Sequence, residues 1–401
     1  VKPRIAIVAG EASGDLLGAR LITALRERFP DACFEGVAGP HMLEAGCEAL
    51  FDSEELSVMG LVEILKDLPR LMSIRRELRQ RWTANPPDCF IGIDSPDFNL
   101  RLARRLRGVG VPTAHYVSPT VWAWRPGRVN TVARSADLVL CLFPFEPACY
   151  ENTPVTAVCV GHPLADEIPL QNDVAAARRA LGLELQCVVV ALLPGSRMSE
   201  VERLGPVVAR TARRLAKARP ELRFVAPMPS ARIRALFSEQ LARWAPGVPV
   251  TLVDQRSREV MGASDAVLLA SGTASLEAML LKRPMVVAYK LAPITHFIVK
   301  GLGLLRLDRY ALPNLLAGRD LVPEYMQGAA RPEVLATAVL EMLDLSPQRC
   351  SELRDAFRDL HLELRLDSSR RAVDEIIRVL ATRPARAEDS PRSGPQPLDE
   401  Q

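Results

Sequence analysis

Apolar runs of strand length alternate with helical stretches along nearly the whole chain, and they do so in two successive sets. In the first set the runs are Arg4–Ala9, Cys33–Val37, Cys89–Ile93, Pro112–Val117, Leu138–Leu142 and Thr156–Val160. In the second they are Cys187–Leu193, Leu222–Ala226, Val250–Val253, Ala266–Leu269 and Met285–Tyr289. Many of these runs are apolar throughout rather than every second residue, the pattern of a strand covered on both faces. Stretches such as Val201–Ala218 between them carry helical spacing. The combination predicts parallel sheets wrapped by helices.

The second set opens as the first does. "VVVALLPGSRMSEV", like "IAIVAGEASGDLLGA", is an apolar strand, a glycine-containing turn and a helix start, so one architecture is used twice. "GHPLADEIPLQND" gathers Pro and polar residues near residue 165 and marks the connection. The predicted organisation is a doubly wound, Rossmann-like α/β domain over residues 1–165 and a second over 166–344, with helices from about 345 to 380 crossing back to the first. A Pro- and charge-rich tail, 383–401, reads as disordered. Two such domains take ligands in the cleft at the carboxyl ends of their strands. This is the outline of a sugar-nucleotide glycosyltransferase of the GT-B type, although architecture alone does not set function.

Four stretches carry candidate chemistry. The opening loop has glycines at 10, 14 and 18, spaced G-x-x-x-G-x-x-x-G, so it fails the dinucleotide fingerprint and is either a tight turn or a ligand loop. In "LLPGSR", Gly195, Ser196 and Arg197 stand between a strand and a helix, where free amides, a hydroxyl and a guanidinium suit a diphosphate; a surface arginine beside an ordinary turn gives the same pattern. In "LLASGTASLE", Ser271, Gly272 and Thr273 are small enough to let a phosphate approach a helix N-terminus, and Glu277 follows where a carboxylate accepts from ribose hydroxyls; a plain capping box reads alike. In "GIDSPDFN" a strand delivers Asp94 to its carboxyl end, as a base for an acceptor hydroxyl or as a turn carboxylate, with Asp97 to Asn99 reading as a helix cap. His115 and His162 stand at strand ends, as cleft residues or as satisfied structural histidines.

Charge and composition narrow the partners. With 51 basic against 48 acidic residues the net charge is +3, which demands no large polyanion, so a nucleic-acid partner is not expected. The eight cysteines form no C-x-x-C pair and read as buried free thiols in a reducing compartment. No D-x-D tripeptide occurs and the five histidines lack ligand spacing, so neither a metal nor another cofactor is expected. No apolar stretch is long enough to span a bilayer, and the N-terminus runs straight into a strand without a signal-peptide core. The segment 57–80 differs. Val58, Met59, Leu61, Val62, Leu65, Leu68 and Met72 lie among Lys66, Arg70, Arg75, Arg76 and Arg79. That mixture suits acyl chains at an anionic membrane surface, or a helix buried on most sides and kinked at Pro69. The Trp loop, with Trp122, Trp124 and Arg125, is either an acceptor-side wall or packing on the core.

"AGEASGD", "GIDSPDFN", "HYVSPTVWAWR", "GHPLAD", "LLPGSR", "ASGTASLE" and "LPNLLAG", in this order, resemble the bacterial lipid-A-disaccharide synthases over about residues 4–370. The resemblance implies an inverting, metal-independent GT-B hexosyltransferase. It would join UDP-2,3-diacylglucosamine to 2,3-diacylglucosamine 1-phosphate through a β(1→6) bond, releasing UDP, peripherally on the inner face of the cytoplasmic membrane. By the same resemblance Asp94 is the general base, Arg197 serves the nucleotide, Glu277 and Asn314 lie on the donor side, and Glu11 contacts the sugars from the opening loop. Ala12 and Pro126 are minor departures from the family pattern. A UDP-N-acetylglucosamine 2-epimerase or a non-catalytic nucleotide-sugar binder shares the fold, and a homodimer stays open.

Overall fold

The computed structural model describes residues 2–56, 61–122, 127–290 and 309–381, with residues 61–67 described by their helical backbone alone. The first lobe runs β1 (Arg4–Ala9), α1 (Ala12–Arg28), β2 (Cys33–Ala38), α2 (Pro40–Glu44), β3 (Cys47–Asp52), α3 (Leu61–Ala84), β4 (Cys89–Ile93), α4 (Pro96–Arg107), β5 (Thr113–Tyr116), α5 (Arg128–Ala133), β6 (Leu138–Cys141) and β7 (Thr156–Cys159). A connector, α6 (Pro163–Glu167), leads to α7 (Val174–Ala180), β8 (Val189–Leu193), α8 (Met198–Ala218), β9 (Arg223–Met228), α9 (Ala231–Trp244), β10 (Val250–Asp254), α10 (Ser257–Ala263), β11 (Ala266–Ala270), α11 (Thr273–Leu280) and β12 (Met285–Tyr289). The chain closes with α12 (Leu312–Ala317), β13 (Glu324–Met326), α13 (Pro332–Leu343), α14 (Pro347–Leu364) and α15 (Ser368–Ala381).

The strands form two sheets, one of seven strands in the order β3-β2-β1-β4-β5-β6-β7 and one of six in the order β10-β9-β8-β11-β12-β13. All pairings are parallel. In each sheet the strand order reverses beside the first strand of its lobe, which opens a crevice at the carboxyl ends there. Strand β4 is buried at every residue, and so is β8, with helices on both faces. The continuous apolar runs follow from that double coverage.

The structure departs from the sequence reading in several places. Helix α1 begins at Ala12, so only Gly10 belongs to the opening loop; Gly14 and Gly18 are buried helix residues. Of the C-terminal helices expected on the first lobe, only α15 crosses back, seating Ala372, Val373 and Ile376 among Leu21, Leu25 and Leu138. Helix α14 stays on the second lobe, because Leu353, Phe357, Leu360 and Leu364 bury against Leu276, Met279 and Leu280. The two crossings between the lobes run side by side. His162 N–H donates to Leu364 O at 2.9 Å, and the Asp166 carboxylate accepts from the amides of Asp367 and Ser368 at 3.0 and 2.8 Å. The connection near residue 165 is therefore packed structure rather than a loose linker.

Only Cys47, Cys89 and Cys141 are buried; Cys33 is exposed and the rest are partly covered, all as free thiols. Among the described residues no helix is long and apolar enough to cross a membrane, and no group of three or more His, Cys, Asp or Glu is placed to hold a metal ion. The tail 383–401 lies outside the described residues.

Candidate active site at the facing strand ends

Asp94 follows β4 in a conformation that few residues adopt. It has φ 49°, and Ser95 has φ 40° with ψ 54°, two successive non-glycine residues in the left-handed region. Such strain persists only where the surroundings enforce it, and it concentrates at functional sites. The enforcing contacts are present. Asp94 N–H donates to Tyr116 O at 2.9 Å, and the amides of Phe98 and Asn99 both donate to Ser95 O at 3.0 Å. Asn99, fully buried, aims its side-chain amide at the carbonyls of Asp94 and Ile93, at 2.9 and 3.2 Å. The expected Asp97 cap is not formed. Ser95 takes that position, and Asp97 pairs with Arg128.

The opening loop lies against this turn. A Cβ on Gly10 would stand 2.5 Å from Ser95 Oγ, so the absence of a side chain is what lets the two loops meet. Glu11 is the next residue, at the N-cap of α1. Burial and the neighbouring Asp94 push its carboxyl upward, while Arg197 of the second lobe pulls it down. Burial likewise raises Asp94, against a hydrogen bond from the Ser95 amide. One acidic edge of the first lobe thus faces one guanidinium of the second.

Across the cleft, a depression of about 760 Å³ is lined by Gly195, Ser196, Arg197, Ser271, Gly272, Thr273, Glu277, Tyr289 and Tyr310, with Thr120 and Trp122 reaching in from the first lobe. Its size and its two-lobed lining suit a small polar ligand. Gly195 has φ 139°, and a Cβ there would come within 2.6 Å of Glu200 Cβ, so this turn requires glycine. The amides of Ser196 and Arg197 are not free as expected. Both donate to Glu200 Oε2, at 3.0 and 3.3 Å, because the α8 N-terminus is capped by its own third residue. The Arg197 guanidinium is the exposed cation of this turn, with the opening of α11 at Thr273 and Ala274 on the facing wall.

Glu277 lines the cleft from α11, and burial, together with the nearby Glu167 carboxylate, raises its carboxyl against the pull of Arg258 and a hydrogen bond from Ser257. Asn314 does not line it. Fully buried, Asn314 donates to Val322 O at 2.9 Å and accepts from the amides of Leu321 and Val322 at 2.7 and 3.0 Å. Its polar atoms are spent on the turn before β13, and its neighbour Leu315 is the residue that reaches the cleft. Neither histidine lines the cleft. His115 is buried within β5 and pushed down to about 4, while His162 Nδ1 caps α6 by accepting from Leu164 N–H at 3.1 Å.

Sequence reasoning missed Glu146. Its buried carboxyl accepts from the amides of Leu142 and Phe143 at 2.9 and 3.1 Å and from Trp122 Nε1 at 3.3 Å, fixing the aromatic wall. Only its separation of 24 residues from Trp122 hid the pairing. On the outer face of the first lobe, Leu68 and Met72 are 44% and 53% exposed beside a groove lined by Arg75, Arg76, Arg79, Arg101, Arg104 and Arg105. Ile74, Leu78 and Trp82 of the same helix are buried in the core. Val58 and Met59, the side chains of Leu61, Val62, Leu65 and Lys66, and the Trp-loop residues Trp124 to Pro126 lie outside the described residues.

Two doubly wound lobes, each a parallel sheet flanked by helices, have the architecture of the GT-B class. Comparison with known proteins resolves the class further. A family model described as lipid-A-disaccharide synthetase matches residues 5–377. A lipid-A-disaccharide synthase of Xanthomonas campestris pv. campestris (strain 8004) is 51% identical over 382 residues, covering 95% of this chain and 87% of its own. That of Alkalilimnicola ehrlichii is 52% identical over 376 residues, covering 93% of this chain and 98% of its own. The chain belongs to the lipid-A-disaccharide synthetase family and is a glycosyltransferase. Among solved structures, the UDP-GlcNAc 2-epimerase of Neisseria meningitidis, bound to UDP-GlcNAc, superposes with a TM-score of 0.62 at 13% identity, covering 93% of this chain and 99% of its own. A glycosyltransferase of kitacinnamycin does so at 0.59 and 18%, covering 94% and 99%. These two share the fold.

Proposed function

We propose that this chain joins UDP-2,3-diacylglucosamine to 2,3-diacylglucosamine 1-phosphate, forming the β(1→6) disaccharide 1-phosphate and UDP, in the biosynthesis of lipid A. The observation that carries the mechanism is the placement of Asp94. It stands at the carboxyl end of β4 on a strained turn, on the lobe opposite Arg197 and the Glu277 cleft.

Asp94 removes the proton from the acceptor 6-hydroxyl as that oxygen attacks the anomeric carbon. The bond from that carbon to the diphosphate oxygen breaks on the opposite face, so the configuration inverts and UDP departs with its pair of electrons. Charge on the leaving diphosphate is met by the Arg197 guanidinium and by the first-turn amides of α11 behind Gly272 and Thr273. Ser271 and Ser196 contribute hydroxyls at the same wall. Glu277 accepts from the ribose hydroxyls, and Glu11 orients the reacting sugars beside Asp94. Asn314 serves the donor side by holding the turn behind the cleft.

The exposed Leu68 and Met72, next to an arginine-lined groove, support docking of the first lobe on an anionic membrane, where both acylated substrates reside. A homodimer is compatible with this arrangement and is not required by it. Acceptor-dependent release of UDP tests the proposal. An epimerase acts without an acceptor, and a sugar-nucleotide binder releases nothing.

A further inference from the structure

Glu277 is held from behind by α10. Ser257 opens that helix and donates to the Glu277 carboxylate, and Arg258, the next residue, places Nε 3.9 Å from Glu277 Oε1. The same guanidinium reaches the other way, to Glu167 Oε2 at 2.8 Å, and Glu167 in turn pairs with Arg20 of α1. An unbroken chain of charges thus runs from the first lobe, through the connector, to the carboxylate that lines the nucleotide cleft.

The turn before α10 is built to present this residue. Gln255 and Arg256 have φ 57° and 48°, left-handed values for two successive non-glycine residues. Arg256 is committed to its own surroundings, donating to Ala180 O and to Glu259, both at 2.9 Å. Arg256 is the arginine of this turn that lines the cleft, whereas Arg258 does not line it and is the α10 cation that reaches Glu277 from behind. The Glu277 side chain is 18% exposed and that of Arg258 is 41% exposed, so the carboxylate sits on the dry side of the pair. A carboxylate in such a place needs a charged neighbour to stay an acceptor, and a ribose diol binds best to an acceptor held in one orientation.

We propose that Arg258 is a positioning residue for the ribose, which it never touches: anchored on Glu167, it holds the Glu277 carboxylate charged and aimed at the sugar hydroxyls. The inference rests on the reading of the cleft as a UDP site. It predicts that Arg258 governs discrimination between nucleotides that differ by one ribose hydroxyl.

The test is calorimetric binding of UDP and of 2′-deoxy-UDP to the full chain, for the parent, Arg258→Met, Arg258→Lys, Glu277→Gln and the Arg258→Met/Glu277→Gln double variant. The parent is expected to prefer UDP by about tenfold, the worth of one hydrogen bond to a charged group. In Arg258→Met the preference falls to about twofold or less, chiefly through weaker UDP binding. Arg258→Lys, which keeps the charge, restores part of it. In the Glu277→Gln background, Arg258→Met has no further effect on the ratio. Equal loss of both ligands in Arg258→Met, an unchanged ratio, or an additive effect in the double variant would overturn the assignment. Failure of the parent to bind UDP would instead strike the nucleotide reading, and this inference with it. UDP binding by the parent without preference would remove the ribose role from Glu277 and Arg258 together.

Discussion

The side-chain amide of Asn99 donates to the carbonyl of Asp94 at 2.9 Å from the first turn of the next helix, so the residue that presents the carboxylate is pinned by one five positions on. Asn99 is fully buried and also reaches Ile93 O at 3.2 Å. Asn99→Leu removes these donors and leaves buried carbonyls unpaired, at a cost of roughly 1–3 kcal/mol. The expected outcome is a loss of that size in denaturant unfolding. Turnover should fall by at least tenfold, and UDP affinity should change little, because the nucleotide wall belongs to the other lobe.

Burial raises the Asp94 carboxyl, so its folded-state pKa lies above its unfolded one. Between those two values the folded chain holds a proton that the unfolded chain releases, and stability therefore falls as pH rises through the window and stays lower above it. Asp94→Asn carries no such cost. Its thermal midpoint should exceed that of the parent at neutral pH and converge on it below the window. Turnover of the parent should show an acidic limb above the ordinary carboxylate range, and the variant should lack both limb and activity.

Gly10 touches Ser95 with no room for a Cβ, which would fall 2.5 Å from Ser95 Oγ and 3.2 Å from Ser95 Cβ. Gly10→Ala should push the opening loop off the Asp94 turn and lower turnover with little effect on UDP binding. Adding Ser95→Ala removes the nearer atom, and kinetics of the double variant should recover part of the loss. Equal turnover in the single and double variants would show that the loops do not communicate here.

The architecture was legible because burial writes itself into composition. Runs at Arg4–Ala9, Cys89–Ile93 and Met285–Tyr289 coincide with β1, β4 and β12, all of them almost wholly buried. Strand β3, "CEALFD", was not, because an edge strand mostly open to solvent needs no apolar run. Strand β13 is three residues long and leaves no period to read. At the site, Asp94, Arg197 and Glu277 stand next to turns whose residue types announce them. Asn99, Glu146 and Arg258 act through partners 5 to 91 residues away, and only the fold brings those pairs together.

Glu146 gives a second titration with the same sign. Buried, it is raised to about 7 from 4.5, with the backbone amides of Leu142 and Phe143 and the Trp122 indole opposing the shift. The folded state again holds the proton, so unfolding free energy should decline between about pH 4.5 and 7 by at most about 3 kcal/mol and level off above. Glu146→Gln should flatten that part of the profile, measured by urea unfolding from pH 5 to 8. A profile rising over this range in the parent would mean that the three donors keep Glu146 ionised.

Release of UDP from UDP-2,3-diacylglucosamine in detergent micelles containing EDTA, with and without 2,3-diacylglucosamine 1-phosphate, tests the central claim most directly when parent and Asp94→Asn are compared. Release that requires the acylated acceptor, survives EDTA and collapses in Asp94→Asn is the predicted result. Release without acceptor, or undiminished release in Asp94→Asn, would contradict a single displacement with Asp94 as its base.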